Sequence, residues 1–168
     1  QFEKHVGTKE VWESYGAKMK EVLEAFRRGI GEWVAVDANG LVRAGHPTLA
    51  MTWMDAVVDG KPVTGREGYQ VEVNALWYNA VCYTLELARK YKDKEFVERW
   101  ADMPAKTKKS FIEKFWLKEE YLADYVNDYE VNKFRRSNML VALGLDYTML
   151  NEEQTMDVLS VVRQHLIT

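Results

Sequence analysis

Three short clusters hold the residues best suited to chemistry. The first is Thr52-Trp53-Met54-Asp55-Ala56. A carboxyl flanked by tryptophan and methionine has apolar neighbours, and desolvation by them favours the protonated acid, the form a general acid requires. A tryptophan next to a carboxyl also suits a sugar: the apolar face of a pyranose packs on the ring while the carboxylate takes its hydroxyls. The competing reading is that Asp55 caps a turn or pairs with a nearby lysine. The second cluster is Glu72-Val73-Asn74-Ala75-Leu76-Trp77-Tyr78-Asn79. Here Glu72 and Asn74 fall in a first helical turn, and Asn74 and Trp77, three apart, share a face with Val81. A polar pair above an aromatic suits ligand hydroxyls; capping by Glu72 and core packing by Trp77 explain the same pattern. The third, Arg135-Arg136-Ser137-Asn138, is locally a solvated basic turn with Ser137 or Asn138 capping the next helix.

Other chemistry finds less support. The three histidines, His5, His46 and His165, are isolated, and none has a ligand-type residue at i+3 or i+4 on a helix face, so no metal is expected. The chain has no G-x-S-x-G, no P-loop and no dinucleotide fingerprint, and no cofactor is expected. Cys82 lies between Val81 and Tyr83 in a helical pattern and reads as a buried, inert thiol. Lys106, Lys108 and Lys109 read as a solvated face.

Composition narrows the field further. With 168 residues, 47% hydrophobic and 29% charged, the chain fits one globular domain rather than a disordered or collagenous one. The net charge of −3 supplies no electrostatic footprint for nucleic acid. No apolar run approaches the roughly 18–20 residues that a membrane helix needs. A single cysteine excludes an internal disulfide and suits a reducing compartment, so a cytoplasmic location is expected. Six tryptophans, nine tyrosines and six phenylalanines are many for a domain of this size, and the clusters above account for several of them.

The elements that must position these clusters are mostly helical. Val11, Trp12, Tyr15, Met19, Val22, Leu23, Phe26 and Ile30 recur at three-to-four spacing, with Thr8 as N-cap and Gly29 as stop. Residues 33–44 read as strand, turn, strand, with Asn39-Gly40 supplying positive φ. Residues 45–70 are rich in glycine and proline and read as an irregular but packed loop. A long helix follows over residues 71–91, and Asp93 or Asp102 then opens further helices. Residues 118–137 are mixed, either a short strand or an apolar loop, and residues 138–145 form a short helix. Asn151-Glu152-Glu153-Gln154 is a capping-box variant starting a last helix whose face is Met156, Leu159, Val162 and Leu166. The count is five or six helices plus one small β-hairpin, a mainly α chain.

The three clusters, in this order, resemble the C-terminal amylo-α-1,6-glucosidase domain of glycogen debranching enzymes. The densest agreement is Thr52 to Ala56, then Val63-Thr64, Arg66 and Gly68, then Val71 to Asn79. Arg136, Ser137 and Asn138 resemble the family's Arg-Pro-Asn turn, and Gly144-Leu145-Asp146-Tyr147 its Ser-Leu-Pro-Tyr segment. The resemblance spans roughly residues 30–168 and is most specific over 51–79.

The resemblance implies an (α/α)6 toroid with a funnel-shaped pocket and hydrolysis of the single α-1,6-linked glucose left at a trimmed branch point of an α-glucan such as glycogen. Such enzymes invert configuration with one carboxyl protonating the glycosidic oxygen and a second activating water across about 6.5–9.5 Å. The family's acid falls on Asp55, and Trp53, Arg66, Glu72, Asn74 and Trp77 fall on positions that line or support the sugar pocket. Departures at Leu49-Ala50, Gly65 and Ser137 alter the rim. Twelve helices of about 12 residues with loops of about 5 need at least roughly 200 residues. The chain is therefore expected to be a fragment, a partial toroid with about half the helices and the acid half of the site, and to lack activity alone. Half a ring would leave apolar faces open to self-association. A non-catalytic carbohydrate-binding module and a helical interaction protein are the alternatives.

Overall fold

The computed structural model describes residues 2–167. Helix covers 53% of the described residues and strand 12%, so the fold is mainly helical. The chain opens with α1 (Phe2–Val6) and α2 (Thr8–Arg28). Thr8 is the first residue of α2 rather than its cap: Gly7, at φ 84°, occupies that position. The Thr8 hydroxyl instead shares a 2.8 Å hydrogen bond with the Tyr91 hydroxyl and accepts one from Lys90 Nζ. The helix stops at Gly29, at φ 95°, as the sequence predicts. Its buried face is narrower than its apolar pattern, since Val11, Gly16 and Leu23 are buried while Tyr15, Val22 and Ile30 are exposed. Gly16 sits mid-helix because the Trp12 indole lies on it; a Cβ there would come within 2.8 Å of the ring.

The expected hairpin forms from β1 (Val34–Val36) and β2 (Val42–Ala44), antiparallel, with Val34 opposite Ala44. Of Asn39 and Gly40 only Gly40 takes positive φ, at 83°. The Asn39 side chain works differently, its Oδ1 accepting the Leu41 N–H at 2.9 Å. The single ribbon predicted from sequence is joined by two more small sheets. One is the hairpin β3 (Val57–Val58) and β4 (Lys61–Pro62), inside the segment expected to be irregular. The other is three-stranded, β5 (Tyr69–Gln70), β6 (Tyr125–Val126) and β7 (Val131–Asn132), in the order β5-β6-β7. Two-residue strands carry no readable alternation, so the pattern could not reveal them. Within the segment 118–137, β6 and β7 form a small hairpin, and β6 ties it through β5 to the beginning of the helix that follows β5.

That helix, α3 (Val71–Lys90), is the centre of the molecule. One apolar cluster, including Val71, Ala75, Phe111, Phe115, Leu122 and Met139, packs on one flank. A second, including Leu23, Trp77, Val81, Leu85, Phe96 and Trp100, packs on the other. The two clusters take adjacent faces of α3 as one broad apolar stripe, while Leu76, Ala80 and Glu86 stay exposed. Around it lie α4 (Lys94–Trp100), α5 (Met103–Phe115), a 3-10 turn (Ser137–Leu140) running into α6 (Val141–Gly144), and α7 (Glu152–His165). Asp93 caps α4 by accepting the Phe96 N–H, and Pro104 occupies the first turn of α5. The capping box of α7 is complete, with Asn151 and Gln154 bonded reciprocally. The inward residues of α7 are Val158 and Val162; Met156 and Leu159, expected on that face, are exposed. The valine pair offers a compact surface to the core, and the helix turns its longer side chains outward.

Gly68 is the tightest joint. At φ 104° it bridges Ala44 through reciprocal hydrogen bonds of 2.8 and 2.9 Å, and a Cβ there would stand 2.4 Å from the Val126 carbonyl. Gly60, at φ 73°, has open space around it. Gly68→Ala is therefore expected to lose about 2 kcal/mol or more and Gly60→Ala on the order of 1 kcal/mol, compared by urea denaturation; equal losses would remove the steric argument.

Candidate functional site

The first and second clusters meet where the 45–68 loop passes the N-terminal end of α3. Arg66 stands at the centre, 4% exposed. Its Nε and Nη2 donate to the two carboxylate oxygens of Asp124, each at 3.0 Å. Its Nη1 and Nη2 donate to the two of Glu72 at 2.5 and 2.7 Å. Nη2 also reaches the Asp124 carbonyl at 2.9 Å. One planar guanidinium thus makes two forked ion pairs, a geometry that lysine cannot supply. Asp124 accepts two further bonds, from Arg136 Nη1 and from Asn138 Nδ2 at 2.7 Å. Two guanidinium groups face two carboxylates, and the cluster is formally neutral. Burial by itself would lower the Arg66 guanidinium, but the Glu72 hydrogen bonds and the charges of Glu72 and Asp124 outweigh it and hold the group above its ordinary value.

Each member arrives on a different element. Glu72 is the second residue of α3, where the helix dipole favours a carboxylate. Asp124 precedes β6, and its carbonyl also takes the Val71 N–H that opens α3. Arg136 and Asn138 flank the start of the 3-10 turn, so Asn138 serves Asp124 instead of capping a helix, and Ser137 makes no capping bond either. The Asn138 amide is oriented by this contact, since turning it over would set Oδ1 against the carboxylate. In that orientation Asn138 Oδ1 is buried without a partner, as is Gln70 Oε1 beside the cluster.

The cluster reaches the loop that carries Asp55. Arg66 Nη1 donates to Thr52 Oγ1 at 3.4 Å, Thr52 Oγ1 accepts the Met54 N–H at 3.3 Å, and Asn138 Nδ2 contacts Met54 Sδ at 3.3 Å. Immediately beyond Asp55, β3 and β4 close a turn around Asp59 and Gly60, both at positive φ. Asp55 is exposed, and Trp53 is 65% exposed. The desolvation expected from Trp53 and Met54 is therefore not supplied by the chain itself, because the tryptophan turns to solvent and only Met54 packs inward. A cavity of about 220 Å3 lies beside this loop, walled by His46, Leu49, Met51, Thr52, Thr64 and Arg66. Neither Asp55 nor Trp53 is in its wall.

The other two expected residues face inward. Asn74 is fully buried; its Oδ1 accepts the Val42 N–H at 2.7 Å, and its Nδ2 donates to the Val42 and Gln70 carbonyls at 3.0 Å. It satisfies the backbone of β2 much as a neighbouring strand would. Trp77 donates from Nε1 to the Gly40 carbonyl and packs between Phe26 and Trp100, with ring centroids 5.8 and 5.9 Å away. Both share one helix face, as their spacing predicts, but that face holds the β1–β2 hairpin and the core. In the structure, the contacts of Asn74 and Trp77 are with the β1–β2 hairpin and the core. Cys82 is half-buried, and burial pushes its thiol up. Among the described residues no three histidine, cysteine, aspartate or glutamate side chains gather in a way that could hold a metal ion.

Sequence reasoning did not find Asp124. Its neighbours Ala123 and Tyr125 give it no motif, and its partner Arg66 lies 58 positions away. The available signal was indirect: Arg66 and Arg136 both needed an acid. Removing the Asp124 carboxylate strands a buried guanidinium, so Asp124→Ala is expected to cost about 3–5 kcal/mol of stability by urea denaturation. Asp128→Ala, which breaks an exposed pair with Arg43, is expected to cost less than about 1 kcal/mol. Similar losses for both would mean that the buried cluster is not an interlocked unit.

No curated protein matches the sequence. The family model described as amylo-alpha-1,6-glucosidase matches residues 2–168, which includes the Asp55 loop, the α3 cluster and the Arg136–Asn138 turn. The chain belongs to the amylo-α-1,6-glucosidase family found as the C-terminal domain of glycogen debranching enzymes.

Proposed function

We propose that this chain forms the acid-bearing part of an inverting α-1,6-glucosidase domain, acting on the single glucose left at a trimmed branch point of a glycogen-type α-glucan in the cytoplasm. Asp55 is the general acid that protonates the glycosidic oxygen, and Trp53 offers the adjacent aromatic face to the sugar. Arg66 and Glu72 do not touch substrate in this reading; they set the position of the loop, while Asn74 and Trp77 hold the hairpin and the helix behind it. The second carboxylate, which activates water from about 6.5–9.5 Å across the bond, is not assigned to any residue of this chain. The chain as a whole, residues 1–168, is read as one domain unit, a partial (α/α)6 toroid. The apolar side chains exposed on α7, Met156 and Leu159, suit packing by further helices of such a ring or by a second copy.

The observation that carries the proposal is that Thr52 and Met54, on either side of Trp53, are tied to the buried charge cluster while Asp55 itself stays open to solvent. An acid must reach the leaving oxygen, so accessibility on an anchored loop is what the role needs. A bound glucosyl unit lying over Trp53 would exclude water from Asp55 and favour its protonated form, the desolvation that the free chain does not provide.

Because Asp55 is exposed, Asp55→Asn should leave stability within about 0.5 kcal/mol. In the protein carrying this domain, it is expected to lower glucose release from an α-1,6-glucosyl dextrin by about 10²–10⁴-fold. Release within about threefold of the unsubstituted protein would overturn the assignment.

A further inference from the structure

A second cleft, of about 480 Å3, lies on the other side of the strip formed by His46, Pro47 and Glu67, which walls the cavity beside the Asp55 loop as well. Its volume falls within the roughly 300–1,000 Å3 typical of ligand sites. One wall is the β1–β2 hairpin with Trp33 at its start, and the other is the turn between β6 and β7. Trp33 is 41% exposed and fixed against the His46 ring, with centroids 4.3 Å apart. Tyr129 is 96% exposed, yet it stands on a well-tied turn. Asn127 Oδ1 accepts the N–H groups of Tyr129 and Glu130 at 2.9 and 2.8 Å, and Asp128 takes Arg43 Nη2 at 3.0 Å. Two large aromatics are thus presented to water by backbone that cannot easily collapse to hide them.

The polar lining selects the ligand. Glu32, Asp37 and Glu67 bring three carboxyl groups to the cleft. One Asp37 oxygen accepts the Tyr69 hydroxyl at 2.6 Å, and Glu67 forms no ion pair among the described residues. The lining guanidinium, Arg43, is engaged by Asp128. A phosphate or carboxylate ligand would meet net repulsion. A metal ion has no three-ligand cluster among the described residues. A wholly apolar ligand would strip water from three carboxylates without returning hydrogen bonds. A neutral polyol fits both features, laying C–H faces on the rings and donating hydroxyls to the acids.

We propose that this cleft is a second saccharide subsite, holding a linear α-glucan segment on Trp33 and Tyr129 at the side of the Asp55 loop. The choice of α-glucan rests on the function proposed above; the choice of a neutral saccharide rests on the cleft itself. The shared strip lets one chain extend from the cleft towards the loop.

The test is titration of the folded chain with maltoheptaose, followed through the tryptophan indole N–H resonances. The Trp33 signal is expected to move, and Trp33→Ala and Tyr129→Ala are each expected to weaken binding about five- to tenfold, as loss of one aromatic contact implies. Tyr129 is so exposed that its replacement cannot unfold the chain, which guards against a trivial loss in the Trp33 variant. Met156→Ala, exposed on α7 and in the wall of neither cavity, is expected to change affinity by less than about twofold. Binding unaffected by both cleft variants, or lost only with Trp53→Ala, overturns the second subsite and leaves the Asp55 proposal standing. Absence of any maltoheptaose binding also overturns it, whereas the acid role of Asp55 stands or falls separately on glucose release.

Discussion

The Arg66 guanidinium, shared between Glu72 and Asp124, is the constraint on which the arrangement of this end of the molecule rests. It joins the 45–68 loop to the beginning of α3, six residues on, and to the approach to β6, 58 positions away. Burying a charge is costly, and an ion pair offsets that cost only when the remaining donors and acceptors are also met. Here the guanidinium forks onto both acids, while Arg136 and Asn138 fill the other side of Asp124. Such a cluster is weak evidence for net stability, because well-packed apolar residues could do as well. It is strong evidence for a fixed arrangement, since moving any one segment would strand a buried charge on the other two.

This constraint acts where the apolar core does not. The 45–68 loop contributes few side chains to either core cluster, and the strands within it are two residues long. A loop of this length without internal packing would sample many conformations. Arg66 to Thr52 and Asn138 to Met54 replace the missing core with polar anchors. At its other end Gly68 lets the backbone approach β6 closely enough for β5 to pair. The segment is held at both ends and in the middle, and beyond those anchors residues 55–61 stand exposed.

What the sequence disclosed follows from the range of the interactions involved. Helix periodicity and capping are local, so α3 and the capping box at Asn151 were legible within a residue or two. The β1–β2 hairpin was legible because its turn residues lie between alternating strands. A short strand was one of two readings for the segment holding β6, but its pairing with β5 was not legible, because partners some 55 positions apart leave no local mark. The burial of Asn74 and Trp77 shows a different limit. Their shared face was deducible from spacing, but whether that face meets a ligand or a hairpin depends on what packs there. Met156 and Leu159 fail for a related reason: periodicity allows two overlapping stripes on α7, and only the packed structure selects the one through Val158 and Val162. The family resemblance named residues from 53 to 77 as lining or supporting a pocket, and the structure divides them into exposed Trp53 and Asp55 and buried Arg66, Glu72, Asn74 and Trp77.

That distinction bears on how the site would work. A general acid has to meet a bulky, branched substrate, so it cannot be buried beforehand, yet it must be held to a fraction of an ångström when the bond breaks. Placing Asp55 among the buried positions of α3 would give rigidity without access. Placing it on an unanchored loop would give access without position. The structure separates the two demands: the charges that need precise geometry are sealed at the end of the most buried helix, and a few hydrogen bonds carry their order outward to the loop. Under the proposed role, substrate itself supplies the last component, because the sugar that requires protonation is also what removes water from the acid. Exposure of Asp55 in the free chain is then a condition of the mechanism, and burial on the glucan is the event that arms it.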